Sequence, residues 1–147
     1  MKHSDPKNIE IEVELYRDPK PGREENLLVV NAGKHHHAFD KVANDHQPHT
    51  ITWKLTGNAS HGEFCGPDDA DSPGFSWLVR RPSEKVFRNL RYEGKNKISI
   101  ENYHCDKNSE GTWHYQLFAR FGNKVYGVPL TFVCGDSNSP HPSIKNT

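Results

Sequence analysis

The sequence predicts an all-β fold, an antiparallel β-sandwich of about seven strands. Two stretches carry most of that inference. IEIEVEL (residues 9–15) and TWHYQLFARF (residues 112–121) alternate apolar and polar side chains with a period of two, which places one face of a strand on a core and the other in water. The third observation is the punctuation. Gly, Pro, Asn and Asp recur at short spacing between the apolar runs, and no segment repeats with the helical period.

The elements follow in order. In 9–15, Ile9, Ile11, Val13 and Leu15 share the buried face, while Glu10, Glu12 and Glu14 share the wet one; a row of carboxylates there would also guard a sheet edge. Residues 16–25, with two prolines and a glycine, read as a loop. NLLVVN (26–31) is a short strand and 32–48 a long polar loop. TITWKL (50–55) alternates, with Ile51, Trp53 and Leu55 inward. Residues 56–74 form a second long loop with a short strand near 63–65. FSWLVRR (75–81) is a strand. Residues 82–96 are mixed and pinned by Val86, Phe87 and Leu90, and KISIENY (97–103) is a strand. In 112–121, Trp113, Tyr115, Leu117, Ala119 and Phe121 face inward. Gly122-Asn123 closes a two-residue hairpin, because both residues tolerate positive φ. The partner strand covers 124–134, and Pro129, which cannot donate to a ladder, puts it at an edge or a bulge. The domain is then 1–134, followed by a polar C-terminal tail, 135–147.

Composition narrows the classes of function. Hydrophobic residues make up 33% of the chain, so the core is thin. The formal net charge is +0 and the pI about 7.2, which provides no global field for nucleic acid or an anionic membrane. Ten histidines make the charge sensitive to pH near neutrality. The opening MKHSDPKNIEIEVEL lacks the apolar core of a signal peptide, and no apolar run is long enough for a membrane helix. Three cysteines, Cys65, Cys105 and Cys134, without a CxxC pair, fit reduced thiols. The expected location is cytoplasmic.

Residues 29–40 read VVNAGKHHHAFD. His35, His36 and His37, with His46 and His49, supply five imidazoles that could serve copper, zinc or nickel. The segment Asn31-Ala-Gly-Lys-His-His36-His-Ala-Phe39-Asp40 resembles the N-A-G-x-x-H stretch before F-D of plastocyanin-type cupredoxins. Cys134 at a strand end followed by Pro140-His141 is similar to their later ligands. That resemblance implies a trigonal copper set of His36, Cys134 and His141. The only methionine is Met1, so no axial thioether follows His141. A polar tail after His141 leaves no place for the strand that closes a cupredoxin. A second, shorter resemblance covers DKNSEGTWHY, where Tyr115 at the start of a late strand is similar to the tyrosine corner of immunoglobulin-like sandwiches. The architecture is thus expected to be immunoglobulin-like or cupredoxin-like, a Greek key.

Other constellations carry less chemistry. His61 with Cys65, and the adjacent His104 and Cys105, lack the close-spaced pairs of a zinc knuckle. DKNSEG (106–111) opens like a calcium loop but has Leu117 where a bidentate carboxylate belongs; Asp, Asn, Ser and Gly also simply make turns. RRPSEKVFRNLRYEGKNK (80–97) interleaves seven Lys or Arg with two Glu and several aromatic or apolar residues, a pattern that can hold anionic ligands or single-stranded nucleic acid and is also that of a solvated face. Trp53 and Trp113 read as core. Trp77, after SPGF, is the candidate ligand-binding tryptophan. GxSxG, HExxH, P-loop and GxGxxG motifs are absent, though dispersed residues could still meet in the fold. The expected function is a non-enzymatic binding module acting through an edge strand or clustered loops on a protein, a peptide or a second copy of itself. The alternative is a sandwich that binds copper or zinc through the histidine loop 35–49.

Overall fold

A computed structural model describes residues 5–15, 27–43, 46–128 and 142–147. Two β-sheets pack face to face, so the all-β sandwich expected from the alternation is the fold that forms. The described residues contain eleven strands: β1 (Asn8–Leu15), β2 (Leu28–Val30), β3 (His36–Phe39), β4 (His49–Leu55), β5 (Glu63–Phe64), β6 (Phe75–Leu78), β7 (Phe87–Glu93), β8 (Lys97–Asn102), β9 (Gly111–Phe121), β10 (Lys124–Gly127) and β11 (Ser143–Asn146). The first sheet has the order β2-β1-β4-β8-β7. The second has the order β10-β9-β11-β3, with β5 and β6 also paired to β9.

Most pairings are antiparallel, but β1 runs parallel to β4 and β11 parallel to β3. The sheets are therefore mixed. The period-two alternation says only which face is buried and is blind to strand direction. Ile51, Trp53 and Leu55 are essentially inaccessible, as are Val13, Ile98, Tyr115, Leu117 and Ala119. The Glu residues of β1 lie on the solvated face of an interior strand, between β2 and β4, so they guard no edge.

Two segments read as loop or tail are strands. His36–Phe39 pairs with β11, with Phe39 buried at 1% exposure. Residues 143–146 slot between β3 and β9, with Ile144 at 0% exposure. A single apolar residue on a four-residue strand is too short a pattern to show alternation. Its burial follows from the sheet that receives it. Leu90, expected as an apolar pin, is 42% exposed. Asn89 and Leu90 together oppose the single residue Ile100 in a β-bulge between Arg88 and Arg91, and the bulge turns Leu90 outward. Tyr115 does not form a tyrosine corner: its hydroxyl accepts a bond of 3.0 Å from the Trp53 indole inside the core.

The two flanks of the sandwich differ. On one, Leu27 bridges Gly127, joining the edges β2 and β10 of opposite sheets. On the other, among the described residues, β6 and β7 face each other without a backbone ladder between them; the Trp77 and Phe87 rings touch across the gap, and the Tyr92 hydroxyl accepts from Phe75 N–H at 3.2 Å.

Candidate functional site

The open flank holds a pocket of ≈ 620 Å³, within the range of ligand sites. Trp77 from β6 forms one wall, and Phe87, Leu90 and Ile100 from β7 and β8 form the other; Arg81 and Arg88 stand at the rim. Each wall follows from local sequence. In FSW, Phe75 and Trp77 share the inward face of β6, two residues apart. Phe75 is deep in the core beside Trp53 at 5.0 Å, and Trp77 continues the aromatic row at 5.0 Å from Phe75 and 4.9 Å from Phe87. Trp77 is half-buried, so the row ends in an aromatic face that solvent can reach.

A tight turn places the rim. β6 stops at Leu78 because Val79 takes a φ of 63° and Arg80 N–H bonds Leu78 O at 2.6 Å, a three-residue reversal. Positive φ is costly for a β-branched residue, and the Val79 side chain is fully exposed. Pro82 then fixes the direction of the chain into the 83–86 turn. On the other rim, the β7 bulge needs Asn89 at φ 58°, a conformation asparagine tolerates.

The cations around the site divide into two groups. Arg80 donates to Thr112 O at 3.1 Å and lies 5.7 Å from the Trp113 ring. Arg91 bonds Glu93 at 2.9 Å, and that bond raises the guanidinium pKa and lowers that of Glu93. Glu101 is held low chiefly by a hydrogen bond from Asn89. Arg91, Glu93 and Glu101 offset one another on the outer face. Arg81 and Arg88 line the pocket, with Glu84 as the one carboxylate in its wall. Arg88 is braced by Lys85 O at 3.0 Å and by the Tyr103 ring at 4.0 Å. The arrangement suits an apolar or aromatic group packed against the contacting Trp77 and Phe87 rings, with a carboxylate or phosphate at the guanidiniums.

The histidine run lies elsewhere. His35 is buried at 3% exposure with its ring 4.5 Å from that of His36. His36 points outward, and its Nδ1 sits 2.6 Å from Ser143 Oγ. His37 is half-buried, and burial, then the neighbouring His35 and His36, lowers its pKa. Strand alternation therefore applies to His36 and His37 in β3, while His35, which precedes the strand, packs edge-on against His36. Among the described residues no three His, Cys, Asp or Glu side chains form a group that could hold a metal. Cys134 and His141 lie outside the described residues, so the trigonal set implied by the cupredoxin resemblance reduces here to His36. His61 packs on Phe121 at 5.2 Å, and Cys65 is a buried thiol whose pKa burial raises. In DKNSEG, Asp106 caps a short 3-10 turn by accepting from Ser109 N–H at 3.0 Å, which is a turn function.

Of the residues singled out from sequence, Trp77 and the basic run at 80–97 are the ones the fold brings together. Phe87, Leu90 and Ile100 were not assigned a ligand role. The signal that could have found them is the pairing of an inward Phe75-x-Trp77 with the FRNLR segment, in which Asn at a bulge exposes the following leucine. No helix among the described residues is long and apolar enough to cross a membrane. Comparison with protein-family models, curated proteins and solved structures gives no match to this chain, so the reading of the pocket rests on its own geometry.

Proposed function

We propose that this chain is a non-enzymatic interaction module that holds a partner protein at the β6–β7 groove. One observation carries the reading: among the described residues, an aromatic row runs from the sandwich core to a pocket at its flank, and two arginines line that pocket. An aromatic pocket with guanidiniums at its rim is the residue combination that, once a partner covers it, concentrates binding energy at protein interfaces. The unbridged thiol of Cys65 supports a reducing, cytoplasmic setting.

The test uses a small probe with the inferred chemistry, N-acetyl glutamyl-phenylalanine, titrated into labelled protein and followed by NMR. The expected result is saturable shifts at the Trp77 indole and the Arg81 side chain that disappear in Trp77→Ala. Shifts confined to other surfaces would refute the groove as the site.

A second reading, copper or zinc binding, has one observation in its favour: Ser143, which follows His141 by two residues, meets His36. Elemental analysis of untagged protein decides it, with about one equivalent lost in His36→Ala as the supporting result.

A further inference from the structure

The backbone of β6 adds a feature that the pocket lining does not show. On the β9 side, Phe118 N–H bonds Gly74 O at 3.1 Å, while Tyr115 N–H, opposite Trp77, turns to the far edge of β9 and bonds Pro142 O at 3.1 Å. Antiparallel ladders alternate hydrogen-bonded and non-bonded pairs. Trp77 and Tyr115 are therefore a non-bonded pair, and the Trp77 N–H and C=O point away from β9, toward the open flank. Phe75 has the same orientation, and its N–H is the one taken by Tyr92 Oη at 3.2 Å. Among the described residues, the flank is thus closed at Phe75 by the Tyr92 side chain, and no strand pairs with β6 at Trp77 on that side.

We propose that the groove takes its partner by strand addition: an extended, acidic segment of another protein pairs with the Trp77 backbone at the edge of β6. It seats one apolar side chain in the pocket, against the touching Trp77 and Phe87 rings and beside Leu90, and sets carboxylates against Arg81 and Arg88. The inference rests on the groove reading above and adds the mode and the chemistry of the occupant.

Three observations select this occupant. The facing edge, β7, is bulged at Asn89 and Leu90 and offers no continuous ladder, so β6 is the edge that can pair. An incoming strand there places alternate side chains toward the sandwich, where Trp77, Phe87, Leu90 and Ile100 offer apolar surface. The charges of the lining are two guanidiniums against the single carboxylate of Glu84, which favours an acidic segment. A second copy of this chain would bring its own Arg81 and Arg88 against them, so like charges disfavour an isologous dimer. The turn at Val79 ends the edge after Leu78, so pairing is short and the inserted side chain must supply much of the affinity.

The experiment titrates the full chain with a synthetic heptapeptide of alternating glutamate and valine with leucine at its centre. Two further versions are N-methylated at alternate amides, one at the odd positions and one at the even. Because only one edge of an added strand faces β6, one methylated peptide should lose at least tenfold in affinity and the other should bind like the parent. Arg81→Glu should weaken the parent peptide at least tenfold, and a lysine-for-glutamate peptide should not bind. Equal behaviour of the two methylated peptides overturns strand addition, while groove binding then stands or falls on the dipeptide shifts at Trp77. If no heptapeptide binds although the dipeptide does, strand addition fails and the groove reading survives. If sedimentation shows a dimer that Arg81→Glu strengthens, a second copy is the occupant and the acidic-peptide proposal is overturned.

Discussion

Gln116 shows how one side chain can complete a sheet. It sits on the outer face of β9 but is only 7% exposed. Its amide accepts from Val128 N–H at 2.8 Å and from Leu117 N–H at 2.9 Å, and donates to Val128 O at 2.9 Å. It thereby supplies ladder bonds at the register between β11, which ends its pairing at His114, and β10, which begins at Phe118. Gln116→Ala leaves buried backbone groups unpaired and should cost about 2–4 kcal/mol in chemical denaturation, whereas Phe118→Leu on the same face should cost much less.

Val79 is the converse case, a residue at odds with its backbone. Its side chain touches solvent alone, and its φ is 63°. Val79→Asn should raise the unfolding free energy by about 0.5–1 kcal/mol, since asparagine accepts positive φ more readily. No gain would mean that the turn is not strained.

The buried histidines set a pH dependence. His49 accepts Lys7 N–H at Nδ1 (3.0 Å) and donates from Nε2 to Asp40 O (2.8 Å), so the folded state holds it neutral. Burial is the main cause of its pKa lying below the ordinary 6.5, and the same holds for His104. Their folded pKa values are depressed, so the unfolded chain binds protons first as pH falls. Stability is then full above 6.5 and declines as pH drops below it toward the folded values. Urea midpoints should be flat from pH 8 to about 7 and fall between about 6.5 and 5. His49→Gln should lower the midpoint at neutral pH and flatten that slope.

Among the elements, β11 contributes most beyond its length. Asn146 and Asn102 exchange amide bonds of 2.8 and 3.0 Å, and Asn146 also donates to Ser109 O at 3.0 Å. Asn102 belongs to β8 of the first sheet and Asn146 to β11 of the second, so this pair fastens the two sheets through the interior. Replacing one amide strands the other. Asn102→Leu and Asn146→Leu should each cost about 2–3 kcal/mol, and the double variant less than the sum by at least about 1 kcal/mol. Additive losses in the double-mutant cycle would show that the amides act separately. Ile144→Ala, at a site with 0% exposure, should cost about 2–4 kcal/mol.

For the whole molecule, the asymmetry of the flanks is what the proposed partner site rests on. The Leu27–Gly127 bridge closes one side. The other ends in the Trp53–Phe75–Trp77–Phe87 row and the rim arginines. Peptide affinity at this groove should fall severalfold between low and physiological salt because the rim is exposed. Salt-independent binding would assign the affinity to the apolar insert alone.

The alternating runs 9–15, 50–55 and 112–121 made strands, burial faces and the all-β class legible in the sequence, because period-two burial is a local property of each strand. Trp53 and Trp113 as core, and Gly122-Asn123 as a turn, were legible for the same reason. Strand direction, the interior place of β1 and the existence of β3 and β11 were decided only by tertiary structure. Short strands with one apolar side chain owe their form to the neighbours that supply their hydrogen bonds. The candidate site divides along the same line. Trp77 and the 80–97 cations could be named from sequence as separate features. That they share one groove depends on β6 and β7 ending as facing edges of two different sheets, a relation between segments that no local pattern encodes.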